Sequence, residues 1–257
     1  MLTTFTSYQL ITKDLQKSLA RTAADPVIAR DTAYYRENIG KVKSIDDFLG
    51  DRRLYAYAMK AYGLEDMTYA KAFMRRILTE GIDEKTSFAN RLADERYKSF
   101  GAAFNFVRYG EVTTSLEAAN EKTVENYMRQ SLEATAGEED QGVRLALYFQ
   151  RKAAEISGPF DILADPALLQ VVQTTLGLPE GGNIDAQAAM IKHRLDIESL
   201  KDPKETERFL KRFAIMWDAT NNTATAPVLT LFNSADTGSG MDVDMLMSLQ
   251  RIKFGGV

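Results

Sequence analysis

Apolar positions in this chain recur every three to four residues almost from end to end. Over residues 51–62, Leu54, Tyr57, Ala58, Ala61 and Tyr62 fall at i, i+3, i+4, i+7 and i+8, one face of a helix. Further along, Leu168, Val171, Val172, Thr175 and Leu176 occupy the same five places. An aspartate precedes each stripe (Asp51, Asp165), and its short carboxylate suits the free N–H groups of a first helical turn. Pro166 stands at a first helical position, where its missing N–H costs nothing. Gly63 and Gly177 follow the stripes, where a left-handed residue closes a helix. Asp25-Pro26 and Asp202-Pro203 repeat the start signature, and Ser44 with Asp47 reads as a capping box with an acidic third residue.

These signals predict an all-α fold of ten main helices. The first five cover roughly residues 8–22, 26–39, 45–62, 67–79 and 86–106, and the second five roughly 123–136, 140–154, 160–176, 184–197 and 203–218. Sustained strand alternation is absent. The short apolar run Val228-Leu229-Thr230-Leu231-Phe232 reads equally as a strand or a helical turn.

The two sets of five share a register. Gln16 to Ala23 matches Arg129 to Ala136, Tyr34-Tyr35 matches Tyr148-Phe149, Gly63-Leu64 matches Gly177-Leu178, and Phe100 with Phe104 matches Phe213 with Trp217. The offset stays near 113–114 residues, which marks a domain-sized duplication rather than a short solenoid repeat. The expected architecture is a duplicated helical bundle with two pseudo-equivalent copies of about five helices each. Copy one runs over 8–106 and copy two over 123–218, joined by a polar linker at 107–122. The remainder, 219–257, begins with the breaker-rich Asn221 to Pro227 and reads as a flexible tail ending in a short amphipathic helix. Met241, Met245, Leu246, Leu249 and Ile252 are the candidate partner-binding residues of that helix, since methionines tolerate imperfect fit in a groove.

Composition narrows the chemistry. The absence of cysteine removes disulfides, thiol nucleophiles and thiolate-held metals together. A net charge of −4 built from interspersed charges speaks against nucleic acid as a partner. No stretch approaches the length of a membrane span, and the first residues lack the pattern of a cleavable secretory signal. The one histidine, His193, reads as a helix-surface residue between cations. Asp46, Asp47 and Asp51 lack the spacing of a calcium loop, and capping accounts for the last two. Arg75-Arg76 with Lys71 and Tyr69 reads as a solvated helix face. The expectation is therefore no catalytic residue, no cofactor and no metal site.

Several longer motifs carry a resemblance. Tyr34-Tyr35-x-x-Asn38-Ile39-Gly40-Lys41-Val42-Lys43-Ser44-Ile45-Asp46-Asp47-Phe48-Leu49, Ala58 to Leu64, Ser87 to Leu92, and Gly142 to Phe149 resemble an uncharacterised bacterial family found in alphaproteobacterial flagellar gene clusters. The resemblance spans nearly the whole chain, fades in the linker and tail, and brings no assigned catalytic residues. It implies a non-enzymatic flagellum-associated structural or assembly protein that works through contacts with other flagellar proteins, located in the cytoplasm or at the flagellum. A cytoplasmic chaperone or regulator of a flagellar export substrate is the alternative expectation. An enzyme in the cleft between the copies is a third.

Overall fold

Short polar side chains start the helices. Asp25 accepts from the amides of Val27 and Ile28, Asp51 from Arg53 and Leu54, and Asp165 from Ala167 and Leu168. Ser44 and Asp47 close a reciprocal capping box. Gly177 ends its helix in the left-handed region (φ 61°), as Gly63 does after an earlier one (φ 69°). The computed structural model describes residues 2–179 and 181–221.

Among these, every regular element is helical. In chain order they are α1 (Thr4–Lys13), α2 (Leu15–Ala23), α3 (Pro26–Asn38), α4 (Ile45–Gly50), α5 (Arg52–Ala61), α6 (Lys71–Glu80) and α7 (Glu95–Ala103). Then follow α8 (Phe106–Tyr109), α9 (Glu121–Glu139), α10 (Gln141–Lys152), α11 (Pro159–Ala164), α12 (Pro166–Leu176), α13 (Ile184–Arg194) and α14 (Pro203–Asn221). The chain divides into two units, 1–218 and 219–257. Of the second, only the residues that extend α14 to Asn221 are described, so the Val228–Phe232 run and the terminal apolar stripe lie outside the described residues.

Three expected helices are each two. The 8–22 segment breaks at Asp14, 45–62 at Asp51 and 160–176 at Asp165. At all three the aspartate leaves helical geometry to cap the following helix. A carboxylate that satisfies the amides ahead of it cannot also continue the helix behind it. The expected 86–106 helix is shorter for a similar reason: Asp94 caps α7, and the residues before it form turns and a short 3₁₀ segment at Ala89–Arg91.

Two apolar cores lie inside the first unit. One gathers Tyr35, Phe48, Leu54, Tyr57, Met74, Phe100 and Phe104 with Tyr127. Its rings stack in series, Tyr35 on Tyr57 at 4.3 Å and Tyr57 on Tyr127 at 3.7 Å, pairs that each contribute about 0.5–1.5 kcal/mol beyond burial. The second core holds Val143, Phe149, Ile162, Val171, Ile191, Leu210, Phe213 and Trp217. The 19-residue α9 bridges them. Val124 and Tyr127 enter the first core and Ala136 packs on the second, while α9 touches α2, α5 and α10 along its length.

Two placements differ from the linear reading. α1 packs on α10, and its Tyr8 is buried in the second core. The Thr4 amide donates to Asp218 (3.2 Å), and the Thr4 hydroxyl lies between the Asp140 and Asp218 carboxylates (2.6 and 2.5 Å). The stretch 107–122, expected as a polar linker, sends Thr113, Thr114 and Ala119 into full burial. Its polar groups are satisfied internally: Thr114 donates to the Val42 carbonyl (2.8 Å), and the Ala119 carbonyl accepts from the Tyr35 hydroxyl. Threonines with such partners can be buried without penalty.

Local arrangements recur between the halves. Tyr34 donates to Asp51 and Tyr148 to Asp165, each across 17 residues. The Asp47 carboxylate accepts from the Lys43 and Ser44 amides, and the Asp161 carboxylate from Ser157 and Gly158. Leu64 N–H reaches back to the Met59 carbonyl and Leu178 N–H to that of Gln173, each closing the turn at its glycine.

Candidate functional site

Where α7, α9 and α10 approach one another, two cavities share a wall. Arg96, Ser99, Tyr148, Lys152 and Glu155 line both. The first cavity, about 840 Å³, is closed by α2, the ends of α3 and α5, and the first half of α9. The second, about 740 Å³, runs from Leu92 past Ile156 to Phe160, Leu163, Leu168 and Ile184. Both have the size of a small-ligand site.

Charged side chains share the first cavity with apolar ones from α2 and α9. α9 presents Arg129 to it, with Glu133 one turn further along the helix, and α10 presents Tyr148 and Arg151 three residues apart. Glu133 is buried, and both its oxygens accept from Arg151, at 2.7 Å from Nε and 2.9 Å from Nη2. Burial works against the Arg151 charge, but the Glu133 carboxylate more than offsets it and the guanidinium is held above its ordinary value. Burial pulls Arg129 below its ordinary value. On the shared wall, Arg96 donates to Gly63 O and forms a fork with Asp94, which raises its pKa.

Tyr148 hands its proton to a hydrogen bond with Asp165, the residue that also caps α12. Burial first, and the Asp165 carboxylate second, push the Tyr148 phenol far above its usual range. A phenol held protonated this firmly is a donor and not a base. Asp165 accepts from two amides and one hydroxyl, and Glu133 is fully engaged. The polar groups of this wall are thus committed to positioning one another, and what they offer an incoming molecule is a polar surface of paired charges beside the guanidinium of Arg129.

The second cavity has a different character. Phe160 and Ile184 line it while remaining 57% and 64% exposed. With Leu163, Leu168 and Ile156 they form an apolar lip beside the shared wall.

The residues singled out in the sequence fall elsewhere. Met241, Met245, Leu246, Leu249 and Ile252 lie outside the described residues. His193 is exposed in the last turn of α13 with Lys192 and Arg194, where cations complement the helix dipole. Asp46 pairs with Arg75 (2.6 Å), Arg76 with Glu80, and Lys71 donates to the Leu49 carbonyl, so the basic cluster there is internally neutralised. Among the described residues no group of three or more His, Asp or Glu side chains is placed to hold a metal ion. No described helix is long and apolar enough to cross a membrane. The Arg129–Glu133–Arg151 cluster was not singled out in the sequence. The i,i+4 spacing of Arg129 and Glu133 was its one visible trace.

A family model described as a protein of unknown function, DUF1217, matches residues 61–206. The chain belongs to this family. The DUF1217 match includes Arg96, Arg129, Glu133, Tyr148, Arg151, Phe160, Asp165 and Ile184, hence the shared wall and the apolar lip. This DUF1217 chain is similar to a protein from Agrobacterium tumefaciens whose crystal structure has been determined, at 49% identity and a TM-score of 0.80. That likeness covers 86% of this chain and 97% of the other. No curated protein matches it.

Proposed function

We propose that this protein is a non-enzymatic, flagellum-associated structural or assembly factor that acts by binding other proteins. The observation that carries the binding half of this reading is the apolar lip, where Phe160 and Ile184 stand more than half exposed on one cavity edge. Large apolar side chains exposed together beside a polar rim mark contact surfaces in soluble domains. The flagellar half rests on the resemblance of the Tyr34–Leu49 and Gly142–Phe149 motifs to the family of flagellar gene clusters. The recurring Tyr–Asp bonds and capping carboxylates support a second part of the reading, one helical unit used twice.

The test is a deletion strain complemented with wild-type protein or with Phe160→Glu/Ile184→Glu. Deletion should impair swimming, wild-type protein should restore it, and the doubly substituted protein should not, although it is folded. Full swimming with normal filaments in the deletion strain refutes the flagellar assignment. Restoration by the substituted protein refutes the lip as the contact.

A further inference from the structure

Six cations line the first cavity: Arg36, Arg96, Lys122, Arg129, Arg151 and Lys152. Five of them have a carboxylate within ion-pair distance. Arg36 meets Glu121 at 2.7 Å, Lys122 meets Glu125 at 3.0 Å, and Lys152 meets Glu155. Arg96 is held by Asp94 and Arg151 by Glu133, each at 2.7 Å. Among the described residues Arg129 alone of the six has no such partner. The acid one turn further along α9, Glu133, has given both oxygens to Arg151.

A guanidinium with no hydrogen-bonded carboxylate on a cavity wall is costly to keep, because its solvation is reduced and the Glu133 charge, engaged by Arg151, repays only part of the loss. Its five donors form a planar fork suited to an oxyanion. We infer that the first cavity is a binding site for an oxyanion, a carboxylate or phosphate group, with the Arg129 guanidinium as its receptor. Burial lowers the Arg129 pKa and the nearby Arg151 charge adds to the effect, with Glu133 offsetting only part of it. The neighbouring Arg151 is fixed by Glu133 and does not compete for the same ligand oxygens, and Tyr148 and Gln130 extend the polar lining. The inference is independent of the contact assigned to Phe160 and Ile184.

The oxyanion has two possible sources, a small molecule or the acidic side chains of a polypeptide. Isothermal titration of the full-length protein at low ionic strength with inorganic phosphate, citrate and a pentaglutamate peptide separates them. Saturable one-to-one binding is expected for at least one probe. Phosphate or citrate binding more tightly assigns a small anion, and the peptide binding more tightly assigns an acidic segment. Arg129→Gln should weaken that binding by about tenfold or more, the effect of losing a charge-assisted fork. Arg129→Lys should recover part of it, since a point charge remains but the fork does not. Arg129 has no hydrogen-bonded partner to lose, so Arg129→Gln should unfold at the wild-type temperature or up to about 2 °C higher. Absence of saturable binding with all three probes overturns the inference. So does unchanged affinity in Arg129→Gln, or a clear fall in its unfolding temperature, which would make Arg129 a structural partner of Glu133.

Discussion

Glu133→Gln is the perturbation that most directly tests the charge arrangement of the first cavity. The Glu133 side chain is 3% exposed and that of Arg151 22%, and two hydrogen bonds of 2.7 and 2.9 Å join them. The substitution keeps volume and shape, removes the charge, and turns an amide N–H₂ toward a guanidinium that can only donate. Breaking a buried pair from one side costs about 3–5 kcal/mol, because the remaining charge is left uncompensated. Partial exposure of Arg151 places the expected loss near the lower end, about 3 kcal/mol. In a chain of this size that lowers the unfolding temperature by about 6–12 °C.

The reverse truncation should be milder. Arg151→Met leaves Glu133 with Arg129, a cation one helical turn away whose guanidinium is otherwise unpaired, and a modest rotamer change can bring the two together. Glu133→Gln leaves two cations and no carboxylate. The ordering to be seen by urea unfolding is therefore Glu133→Gln below Arg151→Met below wild type. The apolar pair Glu133→Leu/Arg151→Met should be more stable than Glu133→Gln alone. Trp217, the only tryptophan, reports the second core, and far-ultraviolet circular dichroism reports the helices. A Glu133→Gln loss below about 1 kcal/mol, the value of an exposed pair, would show the cavity floor to be screened by water and would refute the reasoning.

Three further outcomes follow from local geometry. Gly142→Ala drives a Cβ into the Trp217 ring and to 2.9 Å from Thr4 Cγ2; overpacking of this kind costs about 1–3 kcal/mol, and an unshifted Trp217 emission with unchanged stability would contradict the contact. Asp51→Ala and Asp165→Ala each remove a cap on two amides and a tyrosine acceptor. Each should lose about 1–2 kcal/mol in urea unfolding, and a loss confined to one of them would show that the recurring bonds are not energetically matched. At alkaline pH the sign follows from burial, which raises the Tyr55 and Tyr127 phenols to about 12, whereas the unfolded chain ionises near about 10. Their contribution is complete below the unfolded value and is lost as pH rises toward 12, so the urea midpoint should fall steadily across that window; a flat midpoint would count against the buried phenols.

Features governed by neighbours in sequence were legible before any coordinates. Asp25, Asp51 and Asp165 cap because a short carboxylate reaches amides two or three residues ahead, and that requirement is written in a four-residue window. Gly63 and Gly177 are equally local. The same caps also divide the longer helices expected across them, which is why 45–62 and 160–176 each split at their aspartate. The burial of Thr113, Thr114 and Ala119 was not legible. Thr114 and Ala119 find their partners in the Val42 carbonyl and the Tyr35 hydroxyl, 72 and 84 residues away, and a polar run gives no hint of such company. The cavity was hidden for the same reason. Arg129 and Glu133 sit one turn apart on α9, but Arg151 on α10 decides which of them Glu133 serves.

The two Tyr–Asp bonds show how one local device takes different surroundings. Tyr34 and Tyr148 each donate to an aspartate that caps the helix beginning 17 or more residues on. Over Tyr34 lies the Arg53 guanidinium, 3.7 Å from the ring centre, which covers the face of that phenol. The position after the second cap holds Pro166-Ala167, with no side chain able to do the same. Tyr148 instead lines both cavities, and the cation over its ring, Arg151 at 5.0 Å, is engaged by Glu133. The helix-starting chemistry is thus common to both halves, while the cation over the phenol differs: Arg53 lies close against the Tyr34 ring, and Arg151, turned to Glu133, stands further from that of Tyr148. Both cavities reach Tyr148, with Arg129 lining the first and Phe160 the second, and it is there that a bound molecule would meet both charge and apolar surface.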